Sequence, residues 1–341
     1  MKILVTGSEG YIGTLLGPFL RQRSHDIVGL DTGFYREGCL YAGIELLPAH
    51  LRKDIRHITA ADLQGCDAVV HLAELSNDPL GQLNPSITYA INHHGTVALA
   101  RTCKDIGIPR FVYTSSCSVY GLGSDEYKTE ESTANPQTAY ATCKVLVERD
   151  LGQMADADFS PAFLRNATAY GPSPRMRFDL VLNNLAGLAW TTKAIRMVSD
   201  GTPWRPLVHV LDICEAIACT LEAPREVVHN QIFNVGNTRE NYRVRDIAQI
   251  VSQAFPGCRL SVGESSADNR SYRVSFEKIT TYLPSFKCQR NLVAGAEELH
   301  DLFAKINLSS DVFTHRLFTR LSQLQHLLHT NQITDQLLWN Y

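Results

Sequence analysis

The sequence predicts an α/β fold built on a doubly wound, parallel sheet. Three observations lead there. Short apolar runs alternate with amphipathic stretches through the first half of the chain. Several of those runs are almost continuously apolar, as strands buried on both faces must be. The first of them leads into a glycine-spaced turn and then an amphipathic stretch, a strand–turn–helix unit. Strands alternating with helices imply a sheet covered on both sides, with ligands bound beyond the carboxyl ends of its strands.

The elements follow in order. Lys2–Thr6 is the first strand, and a helix runs from about Tyr11 to Gln22. Asp26–Leu30 is the second strand. Ala68–Ala73 (AVVHLA), Arg110–Ser115 and Ala162–Arg165 repeat the buried-strand pattern, with helical patterns at Pro85–Ile106 and Ala139–Met154 between them. After Gly171 the character changes. Pro172, Pro174, Arg175 and Arg177 crowd together, an apolar helical stretch spans Leu180 to Ala189, and Gln231–Val235 reads as another strand. The rest, to about Ile306, reads as a smaller lid of loops and helices. The expected division is 1–170 with 206–237 for the sheet domain, 171–205 with 238–305 for a smaller C-terminal α/β domain, and 306–341 for a helical tail. In that tail Val312, Phe313, Leu317, Leu321, Leu324, Leu327 and Leu328 recur at helical spacing, with Asn331 as the stop. Such a stripe must be covered, and docking on its own subunit is preferred to a dimer contact.

Composition narrows the function. The 341 residues carry 32 Lys+Arg and 35 Asp+Glu, a formal 32 − 35 = −3, with 44% hydrophobic and 20% charged residues. Disorder as the main state is excluded, and a basic nucleic-acid footprint is absent. No run approaches the roughly 18–20 apolar residues of a membrane span, so the chain reads as soluble. The N-terminus lacks the features of an export signal, so a cytoplasmic location is expected. Nine cysteines, an odd number without Cys-x-x-Cys spacing, are expected to be mostly reduced and buried; no metal site is expected.

Gly7, Gly10 and Gly13 form Gly-x-x-Gly-x-x-Gly directly after a strand and before a helix. Glycine lets the backbone approach a pyrophosphate, and the helix start offers free N–H groups. Asp31, ending the second strand, suits a ribose diol and repels a 2′-phosphate, which favours NAD over NADP; Arg36 keeps NADP in view. Lys53, Asp54 and Ile55 are candidates to border the adenine, with Asp54 accepting from its amino group; a solvated loop explains them nearly as well. Tyr140 and Lys144 lie four apart in a helical stretch, hence on one face. An ammonium beside a phenol draws its pKa down from about 10, giving a group that can exchange a proton with a sugar hydroxyl. Ser116, at the ligand edge of the sheet, can bond the same oxygen.

The glycine triplet, Asp31, HLA at 71–73, SSCSVYG at 115–121, YATCK at 140–144 and LRNATAYGP at 164–172 together resemble the extended short-chain dehydrogenase/reductases. More narrowly, they resemble the NAD-dependent nucleotide-sugar epimerases and dehydratases. The resemblance covers roughly the first 290 residues. It implies a Rossmann-type sheet, bound NAD, and Ser116, Tyr140 and Lys144 as the catalytic triad, with Tyr11, Ile12, Leu72 and Ala73 lining the cofactor. Dehydratases of this kind carry Asp and Glu after the active-site Ser/Thr; this chain has Cys117 and Ser118, which disfavours that reaction. Cys117 is a candidate acid, but a thiol there more often packs as a small hydrophobe. Epimerisation, with C4 as the expected carbon, is the first expectation; ketoreduction or an atypical dehydration using Cys117 is the alternative, and a catalytically idle NAD sensor ranks below both. Arg205, before LVHV at 207–210, matches the arginine that clamps the substrate diphosphate, as a guanidinium fork suits two phosphate oxygens. Ser118, Asn166, Thr168, Asn183 and Arg270 are further substrate-binding candidates, and Arg273 another phosphate candidate. Glu74, where the family usually has a small residue, stands out, facing either the cofactor or the sugar. His71 reads as a satisfied core histidine. A nucleotide-diphosphate sugar is the expected substrate and a homodimer the expected assembly.

Overall fold

The computed structural model describes residues 1–340 apart from 44–46, 48, 77, 198 and 265–270. Its centre is a seven-stranded sheet whose pairings are all parallel. The strands lie in the order Gln231–Val235, Ser160–Asn166, Arg110–Ser116, Ala68–His71, Lys2–Thr6, Asp26–Asp31, Ala49–Arg52. Sequence order therefore reverses beside Lys2–Thr6, and a cleft opens at the carboxyl ends there. The expected doubly wound α/β sheet is present.

Alternation along the strands explains the layers. Ile3 and Val5 face one apolar cluster while Leu4 faces another, and Val70 and Val69 divide likewise. The first cluster packs against Leu16 and Leu20 of the helix Gly13–Gln22 and Ile213 and Ile217 of the helix Val210–Glu222. The second packs against Leu99 and Cys103 of Thr96–Asp105 and Val147 and Leu151 of Ala139–Met154. A third cluster joins Leu182, Ala186, Ile247, Val251, Leu299 and Phe303 from the helices Val181–Thr192, Val244–Ala254 and Leu292–Ile306. Smaller sheets flank it, one ordering Asn241–Arg243, Trp204–His209 and Thr168–Tyr170.

Three elements differ from expectation. The first helix begins at Gly13, not Tyr11, because the glycine turn continues through Tyr11 and Ile12. The stretch Pro85–Ile106 is not one regular helix: one turn, Pro85–Thr88, leads into a widened π turn, Tyr89–Gly95, before Thr96–Asp105. The widened turn carries Asn92, fully buried, whose side chain accepts from Leu75 N (2.9 Å) and donates to Leu75 O (3.1 Å). The tail breaks into Ser310–Phe313, a 3-10 turn at Arg316–Phe318 and a helix Arg320–His329, with left-handed Asn331 just beyond. Leu324 and Leu327 dock on the sheet's second cluster, so the stripe is covered by its own chain, although Val312 is exposed.

Among the described residues no helix is long and apolar enough to cross a membrane. All nine cysteines are free thiols and six are buried.

Candidate active site

A cleft of about 490 Å³ lies over the carboxyl edge of the large sheet. Its floor is the glycine turn. Gly7 has φ +70°, and a Cβ there would sit 2.9 Å from Ala73 N. A Cβ on Gly13 would sit 2.1 Å from Gly7 O. The turn is thus drawn so close to the Leu72–Ala73 segment that only glycine serves. Asp31 lines the same cleft; its carboxylate accepts from Gly33 N (2.8 Å) and Glu9 N (3.1 Å). A carboxylate has about four lone-pair positions, so capacity remains for a ribose diol. Burial, with Glu9 adding to it, holds the Asp31 pKa above its ordinary value. Glycine floor and terminal carboxylate together fit a dinucleotide.

Tyr140 and Lys144 project from the first turns of the helix Ala139–Met154. Thr138 caps that helix, accepting from Ala141 N (3.2 Å), and its hydroxyl donates to Asp78 (2.6 Å). The Lys144 ammonium lies 5.3 Å from the centre of the Tyr140 ring and 4.7 Å from that of Tyr113. It donates to the Thr114 carbonyl (2.5 Å) and pairs with Glu74 Oε2 (2.5 Å), while Tyr113 OH donates to Glu74 Oε1 (2.6 Å). Ser116, ending its strand, accepts from Ser118 N (3.1 Å). The hydroxyl of Ser118 and the side-chain amide oxygen (Oδ1) of Asn166 are buried in the cleft wall without a hydrogen-bond partner among the described residues, two polar atoms that a ligand could satisfy.

The family model described as NAD dependent epimerase/dehydratase family matches residues 3–236, more than half of the chain. The chain belongs to the NAD-dependent epimerase/dehydratase family. It is similar to the UDP-glucose 4-epimerase of Neisseria gonorrhoeae, at 26% identity over 293 residues, 74% of this chain and 82% of the other. Its fold is similar to that of UDP-glucuronic acid 4-epimerase from Bacillus cereus, solved with UDP-glucuronic acid and NAD (TM-score 0.77, 24% identity, 90% of this chain, 100% of that one). It is also similar to that of the dTDP-glucose 4,6-dehydratase DesIV from Streptomyces venezuelae (TM-score 0.79, 22% identity, 89% and 97%). The protein is an enzyme of this NAD-dependent family.

Most of the residues singled out from the sequence of this epimerase/dehydratase family member do meet in the cleft. Gly7, Gly10, Tyr11, Ile12, Gly13, Leu72 and Ala73 line it, as do Ser116, Ser118, Tyr140, Lys144, Asn166, Thr168 and Arg205. Asp54 and Ile55 border it, but the Asp54 carboxylate is engaged: it accepts from Arg56 N (2.8 Å), Nε (2.9 Å) and Nη2 (2.8 Å). That geometry makes Asp54 a turn cap, not chiefly an adenine acceptor. His71 is the satisfied core histidine expected, bonded to Thr6 (2.7 Å) and Thr96 (2.8 Å), with burial pulling its pKa down to about 3.

Others are placed elsewhere. Cys117 does not line the cleft; its thiol lies 3.1 Å from Arg165 O in the apolar core, and burial pushes its pKa well up. It packs, and a protonating role has no geometric basis. Asn183 is fully buried away from the cleft, its amide spent on Gly171 N (3.1 Å), Tyr11 OH (3.2 Å) and Arg177 O (3.1 Å). It is a strut that, with Tyr11 OH donating to Gly171 O (2.7 Å), ties the glycine turn to the chain after Tyr170. Arg270 falls outside the described residues.

The Tyr140 phenol also departs from expectation. Burial raises its pKa above the ordinary value; Lys144 and Arg177 pull it down, but Glu74 and Asp78 push it up. Burial works against both members of the Glu74–Lys144 pair. It leaves the carboxyl pKa raised, while the ammonium also ends above its ordinary pKa because Glu74 faces it.

Sequence reasoning missed Arg177, Asp179 and Arg320. Arg177 pairs with Asp179 (2.8 Å) and donates to Ser76 (3.3 Å) in the cleft wall; the Arg-x-Asp spacing was the available signal. Arg320 reaches the cleft from the tail, its guanidinium 4.1 Å from the centre of the Tyr35 ring. Burial, with Arg177 adding to it, lowers its pKa to about 10. Its place in a leucine-rich stripe concealed it.

Proposed function

We propose that this enzyme epimerises a nucleotide-diphosphate sugar at C4 through a transient keto-sugar, with Tyr140 as general acid/base. The observation that carries the reading is the placement of Tyr140, Lys144 and Ser116 in one cleft with the glycine floor and Asp31. NAD held there would supply the hydride acceptor and donor. Tyr140 accepts the proton of the sugar hydroxyl as the carbon is oxidised, and gives it back on reduction. Ser116 and Ser118 offer hydroxyls to the same sugar. Lys144 steadies the phenolate and is the residue that would hold the nicotinamide ribose. Arg205 lines the cleft, and its fork suits a diphosphate.

The similarity to the Neisseria epimerase supports this reading. Elimination of water across C5–C6 is disfavoured. Cys117 is packed in the core, Ser118 lacks a base of its own, and Glu74 is engaged by Lys144 and Tyr113.

The purified protein, incubated with a panel of UDP-, GDP- and dTDP-sugars, is followed by the anomeric NMR signals. Interconversion of two 4-epimers with no net change in cofactor is the expected result. Turnover only with added NADH would replace epimerisation by reduction, and release of water would replace it by dehydration.

A further inference from the structure

The Glu74 carboxylate is the feature of the cleft that the reaction above does not use. It is buried, yet it sits among groups that the proton transfer needs. Its two oxygens face different groups: Oε2 lies in ion-pair contact with the Lys144 ammonium, and Oε1 accepts from the Tyr113 hydroxyl. A carboxyl facing an ammonium on one oxygen and a hydroxyl donor on the other is placed as a carboxylate is. Its backbone is fixed from the side: Asn92, in the widened turn Tyr89–Gly95, clamps both backbone groups of Leu75, the next residue. Lys144 has three donors; one goes to Thr114 O, and the ammonium sits against Glu74 as an ion pair.

We propose that Glu74 is a positioning residue of the proton-transfer site: it holds the Lys144 ammonium between the Tyr113 and Tyr140 rings and offsets that ammonium's field at the Tyr140 phenol. This rests on the reading of Tyr140 as the acid/base. Glu74 thereby acts in the same direction as burial, which is the larger cause holding the phenol's pKa above its ordinary value. A lysine facing no carboxylate would favour the phenolate. Every charged group around the phenol enters the same balance. Lys144 acts from its own helix, Glu74 from the segment after Ala68–His71, Asp78 from the helix Asp78–Leu83, and Arg177 from the turn after Gly171. Tyr113 faces Glu74 from the strand Arg110–Ser116. Glu148 also faces Lys144, but it is itself paired with Arg165 (2.7 Å) and accepts from Ser115 (2.5 Å). Glu74 is the carboxylate in direct contact with the ammonium.

The test is Glu74→Gln, which keeps the shape and removes the charge, with Glu74→Ala as the second variant should the amide disturb folding. Tyrosinate absorbance near 295 nm is followed through a pH titration and corrected by subtracting the same titration of the matched Tyr140→Phe protein. The Tyr140 midpoint is expected to fall by about one pH unit or more, a tenfold change in its ionisation constant. The acid limb of the kcat profile moves with it, and bound NAD is unchanged. An unmoved midpoint, or a uniform loss of kcat with an unshifted profile, overturns the proposal. The absorbance titration needs no substrate. A chain that epimerises nothing would therefore remove the reaction assigned above while leaving the Glu74 result readable.

Discussion

At the scale of single residues, the proposed reaction turns on Tyr140. Tyr140→Phe keeps the ring in its buried place and removes only the exchangeable proton. Turnover is expected to fall by about 10²–10⁴-fold, the usual worth of a positioned acid/base, while NAD remains bound. Steady-state kinetics beside a measurement of nucleotide content checks both halves, and full activity in the variant would remove Tyr140 from the mechanism. The Tyr140–Lys144 spacing was legible because four residues bring two side chains to one helical face. The direction of the phenol's pKa was not, because burial by the folded chain raises it first, and Glu74, on a segment far away in sequence, adds to that against Lys144. Cys117 misled for a related reason: it follows Ser116 directly, but its thiol turns inward to Arg165 O.

His71 supplies a second residue-scale prediction. Its folded pKa of about 3 lies below the ordinary value near 6.5. The unfolded chain therefore binds the extra proton first. The stability from keeping this ring neutral is fully present above about pH 6.5 and is lost as pH falls from there towards 3. Urea midpoints should drop between pH 7 and pH 5, and His71→Gln should flatten that dependence while lowering stability at pH 7. An unchanged slope would assign the acid sensitivity to other groups.

At the scale of elements, the central strands were readable because both of their faces are apolar. Ala139–Met154 and Gln231–Val235 have the boundaries read from the sequence. Thr168–Tyr170 and Trp204–His209 escaped as strands. They are short, and they are stabilised by pairing across a long stretch of chain, Leu207 with Thr168 and Trp204 with Arg243. The widened turn at Tyr89–Gly95 escaped too, since its cause is one buried amide reaching a loop outside the helix. Gly13 gives the prediction at this scale. The new methyl in Gly13→Ala would lie 2.1 Å from Gly7 O, a backbone atom that cannot swing aside. NAD affinity is expected to weaken by about tenfold or more, because the glycine floor must shift away from the pyrophosphate. Equilibrium dialysis reads it directly, and wild-type affinity would show that the floor tolerates the displacement.

At the scale of the whole molecule, the tail joins distant parts of the fold. Trp339 donates its indole N–H to Thr32 O (2.7 Å), and its ring lies 5.6 Å from that of Phe34 and 4.9 Å from the Arg52 guanidinium. Gln323 donates to Phe34 O (3.0 Å), and Arg56 donates to Gln336 O (2.8 Å). The contacts to Thr32 and Phe34 grip the chain just after Asp31, and those to Arg52 and Arg56 flank the neighbouring edge strand. The sequence showed the leucine stripe but not where it lands, since helical spacing says nothing about which surface receives it.

That grip bears on how long a nucleotide stays. In the proposed epimerisation the hydride is handed back each cycle, so the carrier need not exchange, and a buttressed Thr32–Tyr35 rim would slow its escape. Trp339→Ala is expected to speed release of NAD by about tenfold, read by trapping the freed nucleotide with a coupled dehydrogenase. The variant would then stop once diluted and restart when NAD is supplied, turning a resident prosthetic group into a co-substrate that must be fed.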